Sequence, residues 1–164
     1  MYLPDLKQPS DPIKALTGTG TILLVDDNDA FRNIIRTFLE SSGYKVLEAP
    51  SAAEASAIVG QHGGTIDLLL TDVVLPGVNG DQLSDYVRFL FPKINVLYMS
   101  GYGNAVKFES AGSQAGAHML PKPFSKGTLL LAVGQLLHWR EHSEEKVMPT
   151  RAWAGFPSSA QSLA

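Results

Sequence analysis

Cysteine is absent from this chain of 164 residues, which excludes disulfide bonds, thiolate zinc sites and thiol catalysis. Long apolar runs are also absent, so no segment is predicted to span a bilayer. The amino terminus, MYLPDLKQPSDP, lacks the basic and then apolar order of a signal peptide. Positive charge is not in excess, because 13 Lys and Arg residues stand against 16 Asp and Glu residues. We therefore expect a soluble, cytoplasmic domain that contacts neither nucleic acid nor a membrane.

The composition divides the chain into a folded part and two polar ends. Residues 1–19 are rich in Pro, Asp, Ser, Thr and Gly, which is typical of a linker. Helical and strand patterns continue over residues 20–139 and are then lost, where Pro, Ser, Ala and Gly dominate. The sequence predicts a linker over 1–19, one domain over 20–139 and a disordered tail over 140–164.

Short apolar runs alternate with segments of helical spacing throughout the folded part. Strands are predicted at TILLV, YKVLEA, IDLLLT, INVLYM and AHML. A helix is predicted after each strand, and the fourth, in the glycine-rich GYGNAVKFESAGSQAG, should be short. Alternating strands and helices with nearly uninterrupted apolar strands predict an α/β fold whose parallel sheet is covered on both faces.

The predicted helices have identifiable ends and apolar faces. Gly43 is expected to end the first helix, and Ser51 and Ser125 are expected to cap the second and the last. Three helices have apolar residues at helical spacing. In the first helix these are Phe31, Ile34, Ile35, Phe38 and Leu39, and in the third they are Leu83, Tyr86, Val87 and Leu90. In the last helix they are Leu129, Leu130, Val133, Leu136 and Leu137.

Polar side chains follow four of the predicted strands. Asp26 and Asp27 come after the first strand, Asp72 ends the third, Ser100 follows the fourth and Lys122 follows the fifth. The carboxyl ends of parallel strands lie at one edge of the sheet, where ligand sites of open α/β folds form. Each feature alone is ordinary capping or turn chemistry, but together they predict one site.

The charges of that site indicate its chemistry. Three aspartates held close together repel one another unless their pKa values rise or a cation binds among them. Ligands that are all oxygen favour a hard ion such as Mg2+. A carboxylate beside Mg2+ and a lysine can accept a phosphoryl group, because phosphoryl transfer depends mainly on positioning and charge neutralisation.

Four motifs, ILLVDDN, LLLTDVVLPGVNG, VLYMSGY and LPKPF, resemble in order and spacing those of the receiver domain of bacterial two-component signalling proteins. The resemblance covers about residues 20–139. It implies a flavodoxin-like (βα)5 three-layer sandwich with a parallel sheet of strand order 2-1-3-4-5.

The resemblance also implies a role for each site residue. Asp72 would be the phosphoacceptor, Lys122 the partner of the phosphoryl oxygens and Ser100 the hydroxyl that bonds the phosphoryl group after transfer. Mg2+ would be held directly by Asp27, Asp72 and the backbone carbonyl of Val74, and by Asp26 through a water. The Lys122–Pro123 peptide bond is expected to be cis.

One position differs from many members of the family, and a second feature concerns the lifetime of the phosphoryl group. Met119 stands where many receivers have a Tyr or Phe that rotates inward on phosphorylation, and we expect it to be core filler. His118 precedes it as a residue at the strand edge. The positions that influence hydrolysis in the family are Val74 and Tyr102, neither of which can orient a water, so we expect slow dephosphorylation.

The ends of the chain suggest its context. YLP, residues 2–4, resembles the end of the ATP-binding domain of histidine kinases, so with the linker and the receiver it suggests a hybrid sensor histidine kinase. A stand-alone response regulator is the alternative. The expected partner is the phosphohistidine-bearing dimerisation domain of a histidine kinase or a histidine phosphotransfer protein. The chain itself would catalyse only its own phosphorylation and dephosphorylation.

Two other functions remain to be weighed. A hydrolase passing through aspartyl phosphate would need a second acid two residues after Asp72, where this chain has Val74. A degenerate receiver serving only as a binding platform would not need the intact set of Asp27, Asp72, Ser100 and Lys122.

Overall fold

The structure, a computed structural model, describes residues 17–101 and 118–145, with side chains up to residue 138. Within these ranges five strands alternate with four helices. The strands are β1 Thr21–Val25, β2 Lys45–Ala49, β3 Leu68–Asp72, β4 Asn95–Ser100 and β5 His118–Pro121. The helices are α1 Asp29–Glu40, α2 Ala52–Gln61, α3 Gly80–Leu90 and α4 Lys126–Glu145. The helix predicted between β4 and β5 lies outside the described residues.

The strands form one parallel sheet in the order β2-β1-β3-β4-β5, which confirms the predicted flavodoxin-like topology. Alternate residues of the central strands enter two cores on opposite faces. Leu23 and Leu69 pack with α2 and α3, whereas Leu24 and Leu70 pack with α1 and α4. Because helices cover both faces, β1 and β3 carry uninterrupted apolar runs, Ile22 to Val25 and Leu68 to Leu70.

The predicted helix ends are confirmed by local hydrogen bonds and backbone geometry. Ser51 Oγ accepts a hydrogen bond from the backbone N–H of Glu54 at 3.2 Å, and Ser125 Oγ accepts one from Thr128 at 3.1 Å. Gly43 lies just after α1 with φ +99°, a conformation that L side chains rarely adopt. These caps satisfy backbone groups that would otherwise lack partners at the helix ends.

The predicted apolar faces are wider than the faces that the structure buries. Ile34 of α1 is 50% exposed, and Tyr86 and Leu90 of α3 are 42% and 41% exposed, so these members of the apolar faces lie outside the buried core. Helical spacing identifies the apolar side of a helix, but the neighbouring elements decide how much of that side is covered. α4 also continues to Glu145, past the domain end predicted at residue 139. Among the described helices, none has the length and apolarity needed to cross a membrane.

Candidate functional site

Three aspartates meet at the carboxyl edge of the sheet. Val25 of β1 pairs with Thr71 of β3. The next residues along the two strands, Asp26 and Asp72, therefore lie side by side at the carboxyl edge. Carboxylate oxygens of Asp26, Asp27 and Asp72 all lie within 4.8 Å of one another. The parallel topology therefore brings together the acids that the strand-end pattern predicted.

Lys122 joins this cluster from the end of β5. Its Nζ donates hydrogen bonds to Asp26 Oδ2 at 2.8 Å and to Asp72 Oδ2 at 2.7 Å. Its backbone N–H donates to the carbonyl of Ser100 at 2.6 Å, which extends the pairing of β4 and β5 to the site. The Lys122–Pro123 peptide bond is cis, as expected.

The protonation of Lys122 follows from two opposing effects. Burial favours the neutral amine and by itself would lower the pKa. Hydrogen bonds and charge from Asp26 and Asp72 favour the ammonium more strongly, so the pKa of Lys122 is raised above its ordinary 10.5. The lysine is therefore a fixed positive charge at physiological pH.

Asp26 and Asp72 differ in accessibility. The Asp26 side chain is 1% exposed, and its second oxygen, Oδ1, accepts from the N–H of Asn28 at 2.9 Å. Asp72 is 17% exposed, and its Oδ1 accepts from the N–H of Val74 at 3.0 Å. Asp27 is exposed beside them. Of the two carboxylates bonded to Lys122, Asp72 is thus the one that a reactant reaches more easily.

Ser100 and Val74 border the site in different ways. Ser100 is buried at the end of β4, and its hydroxyl donates to the carbonyl of Gly101 at 3.2 Å. Val74 lies in the loop after β3 with its side chain 51% exposed. Both residues lie at the predicted edge, although Tyr102, the other residue assigned to phosphoryl lifetime, falls outside the described residues.

Met119 and His118 lie on β5, away from the carboxylates. Met119 is partly buried and packs against the core under α2 and α3, in agreement with its expected role as core filler. Its neighbour in register, Tyr98, is buried and donates a hydrogen bond to Ser84 Oγ at 2.6 Å. His118 lies at the surface, and partial removal of its ring from water, together with the charge of Arg88, lowers its pKa below the ordinary 6.5.

Sequence reasoning missed Phe31, which it assigned only to the apolar face of α1. The Lys122 Nζ lies 4.2 Å from the centroid of the Phe31 ring. Phe124, just beyond the lysine, meets the same ring edge to face at 5.8 Å between centroids. One feature of the sequence could have pointed to Phe31. It is an aromatic residue in the first turn of the helix that follows Asp26 and Asp27.

Gly80 is a second residue whose importance only the structure reveals. It begins α3, and its N–H donates to the carbonyl of Val73 at 3.0 Å. A Cβ at this position would collide with the carbonyl oxygen of Asp72 itself. The lack of a side chain therefore lets α3 start directly against the backbone of the site.

The donor set is suited to Mg2+. All the candidate side-chain ligands are carboxylate oxygens, which hard divalent ions prefer. The three aspartates also carry more negative charge than Lys122 neutralises, so a cation would relieve the remaining repulsion.

Comparison with known proteins connects this site to one family. The sequence model described as response regulator receiver domain matches residues 22–134. The sensor kinase CckA of Brucella abortus is 38% identical over 122 residues, which cover 74% of this chain and 13% of the relative. The DNA-binding transcriptional regulator NtrC of a Bradyrhizobium species is 32% identical over 118 residues, which cover 72% of this chain and 24% of the relative. The chain thus spans less than a quarter of the length of these relatives.

Solved structures agree with the fold. The receiver domain from the hybrid histidine kinase CckA is 36% identical, with a TM-score of 0.61 over 72% of this chain and 99% of that one. A response regulator receiver domain protein from Clostridium thermocellum is 26% identical, with a TM-score of 0.69 over 76% of this chain and 98% of that one.

Proposed function

Because the chain belongs to the response regulator receiver domain family of two-component systems, we propose that it accepts a phosphoryl group from phosphohistidine onto Asp72 in a Mg2+-dependent reaction. The observation that carries this proposal is the double hydrogen bond of Lys122 to Asp26 and Asp72. Together with the greater exposure of Asp72, 17% against 1% for Asp26, it supports Asp72 as the reactive carboxylate beside a fixed ammonium. Phosphoryl transfer requires that combination of nucleophile and charge neutralisation.

Asp72 acts as the nucleophile in this proposal. One carboxylate oxygen bonds to phosphorus while the bond between phosphorus and the donor imidazole nitrogen breaks. The electron pair of that bond stays on the nitrogen, which takes up a proton. The N–H of Val74, which bonds Asp72 Oδ1 at 3.0 Å, holds the carboxylate in orientation.

The other residues neutralise and hold the transferred group. Lys122, already 2.7 Å from Asp72 Oδ2, pairs with the phosphoryl oxygens, and the hydroxyl of Ser100 turns from Gly101 to bond one of them. Asp27, Asp72 and the carbonyl of Val74 would hold Mg2+ directly, and Asp26 would hold it through a water. The bound ion would supply positive charge that offsets the charge of the carboxylates and of the transferred group.

The donor is a phosphohistidine on a kinase dimerisation domain or on a histidine phosphotransfer protein. We place the receiver in a hybrid sensor histidine kinase, with residues 1–19 as the linker from the kinase and a tail after the last helix. The similarity to the receiver of the hybrid kinase CckA supports this context. Similarity to the transcriptional regulator NtrC keeps a response regulator as the alternative. An in-frame histidine kinase encoded immediately upstream would support the first, and a stop codon there would contradict it.

Incubation with acetyl phosphate and Mg2+, followed by intact mass, tests the acceptor. We expect one phosphoryl adduct on the wild type and none on Asp72→Asn. The control Asp85→Asn removes an exposed aspartate of α3 and should keep the adduct. No adduct on the wild type overturns the function, and an adduct on Asp72→Asn shows that the acceptor is a different residue. Turnover of small phosphomonoesters would favour the hydrolase instead.

A further inference from the structure

We propose that Phe31 is a positioning residue for phosphoryl transfer, because the face of its ring holds the Lys122 ammonium in place while Asp72 is phosphorylated. This inference rests on the proposed function. It assigns a role in the reaction to an aromatic side chain that would otherwise be core filler.

The geometry is that of a cation–π contact. The Nζ of Lys122 lies 4.2 Å from the ring centroid, inside the range of about 6 Å over which a ring face attracts a cation. The lysine side chain is 21% exposed, and such contacts strengthen when the cation is partly removed from water. The ammonium is therefore attracted by two carboxylates and one aromatic face.

The ring itself is held from two directions. The N–H of Phe31 donates to Asn28 Oδ1 at 3.0 Å, which anchors the first turn of α1. The Phe124 ring meets the Phe31 ring at 5.8 Å with an interplanar angle of 71°. Since Phe124 follows Lys122 closely in sequence, the same loop carries the cation and a support for the ring that receives it.

The reaction changes the partners of Lys122, and this gives the ring its role. Once an oxygen of Asp72 bonds to phosphorus, the carboxylate loses charge and the ammonium loses part of one attraction. Asp26, 2.8 Å away, would then pull the lysine toward the interior. The Phe31 face attracts the cation but has no lone pair that competes with phosphoryl oxygens for its three N–H donors. The ring thus keeps the lysine near Asp72 and leaves it donors for the phosphoryl group.

Plain packing is the competing explanation, and fluorination of the ring separates the two. Fluorine substitution weakens the negative potential of a ring face with little change in its shape. We would place mono-, di- and trifluorophenylalanine at position 31 and measure the phosphorylation rate at saturating acetyl phosphate with Mg2+. Because acetyl phosphate is small, contacts with a protein partner do not enter the measurement.

The matched control is the same fluorinated series at Phe38, further along α1. Phe38 faces Lys126 at 5.7 Å, so it makes the same kind of contact away from the carboxylates. We expect the rate to fall stepwise with each fluorine at position 31 and to stay constant at position 38. Phe31→Leu should be about threefold to tenfold slower than the wild type, with the apparent binding constant for acetyl phosphate unchanged.

A separate measurement tests the contact itself. In the wild type, the ε-methylene protons of Lys122 should show an upfield ring-current shift that Phe31→Leu removes. Absence of that shift, or equal rates across the position 31 series in a protein that is phosphorylated, overturns the inference alone. Failure of the wild type to take up a phosphoryl group overturns the proposed function and the inference together, so the two failures are distinguishable.

Discussion

Lys122 reaches from the end of β5 to Asp72 at the end of β3, and its Nζ lies 2.7 Å from the carboxylate Oδ2. The same Nζ lies 2.8 Å from Oδ2 of the buried Asp26. One ammonium therefore satisfies two acids from different strands. The pair is part of the fold as well as of the site, because without Lys122 the charge of Asp26 would lack a cationic partner there.

We predict that Lys122→Met lowers the free energy of unfolding by about 1–3 kcal/mol, because it leaves buried Asp26 without its charged partner. Urea unfolding in the absence of divalent ions measures the loss. Lys126→Met removes an exposed lysine of α4 and should change stability by less than about 0.5 kcal/mol. Equal losses in the two variants would contradict a structural role for the Lys122 contacts.

Mg2+ should stabilise the folded protein, because the three aspartates converge only in the folded state. We expect the melting temperature to rise with added Mg2+ and to fall again on chelation with EDTA. Asp27→Asn should weaken Mg2+ binding by about tenfold or more, measured by calorimetric titration. Asp29→Asn, which removes a neighbouring exposed acid, is the control. Comparable affinity in both variants would place the metal elsewhere.

Gly80→Ala should destabilise the protein by about 1–3 kcal/mol and slow phosphorylation, because the new Cβ collides with the carbonyl of Asp72. Gly60→Ala in α2 is the matched control, since nothing lies within 4 Å of an added Cβ there. That variant should be stabilised by up to about 1 kcal/mol through helix propensity. Urea unfolding and the acetyl phosphate reaction would be measured on both. A stable Gly80→Ala with the wild-type rate would argue against the close approach.

The phosphoryl lifetime should be long and should shorten in Val74→Asn, because an amide at this position can orient an attacking water. The Val74 side chain is 51% exposed, so asparagine fits without disturbing the core. Decay of the phosphorylated species would be followed by intact mass after removal of the donor. Val78→Asn is the control, since Val78 lies in the same loop and is 41% exposed. An unchanged lifetime in Val74→Asn would rule out this account.

Stability should decrease slightly on acidification because of His118. Its pKa in the folded protein is lowered by burial and by Arg88, so below the ordinary pKa of 6.5 the unfolded chain binds more protons. The contribution of neutral His118 to the free energy of unfolding is therefore fully present above pH 6.5, and it is lost as the pH falls toward the lowered pKa of the folded protein. Comparing urea unfolding at mildly alkaline and mildly acidic pH in the wild type and in His118→Gln isolates the effect. The variant should show the weaker pH dependence, and identical profiles would contradict the prediction.

The acids and the lysine of the site could be predicted because each stands at the end of a strand or just after it. In a parallel sheet the position of a strand end is determined by topology, so Asp26, Asp72 and Lys122 had to lie at one edge. The strand order itself came from the resemblance of motifs, since the apolar runs alone are compatible with several parallel sheets. The sequence did not predict which parts of the apolar helix faces stay uncovered by other elements. Ile34 has the spacing of a core residue, yet it is 50% exposed.

Periodicity and chain order were enough to predict the α/β class, the apolar strands and the polar residues at the strand ends. Which of those residues touch could be read only from the packed structure. That Lys122 bonds both Asp26 and Asp72, and that its ammonium lies over Phe31, depends on strand register and on how α1 packs against the sheet. Contacts between residues far apart in the chain arise from the packing of whole elements, and no local pattern of residues specifies that packing.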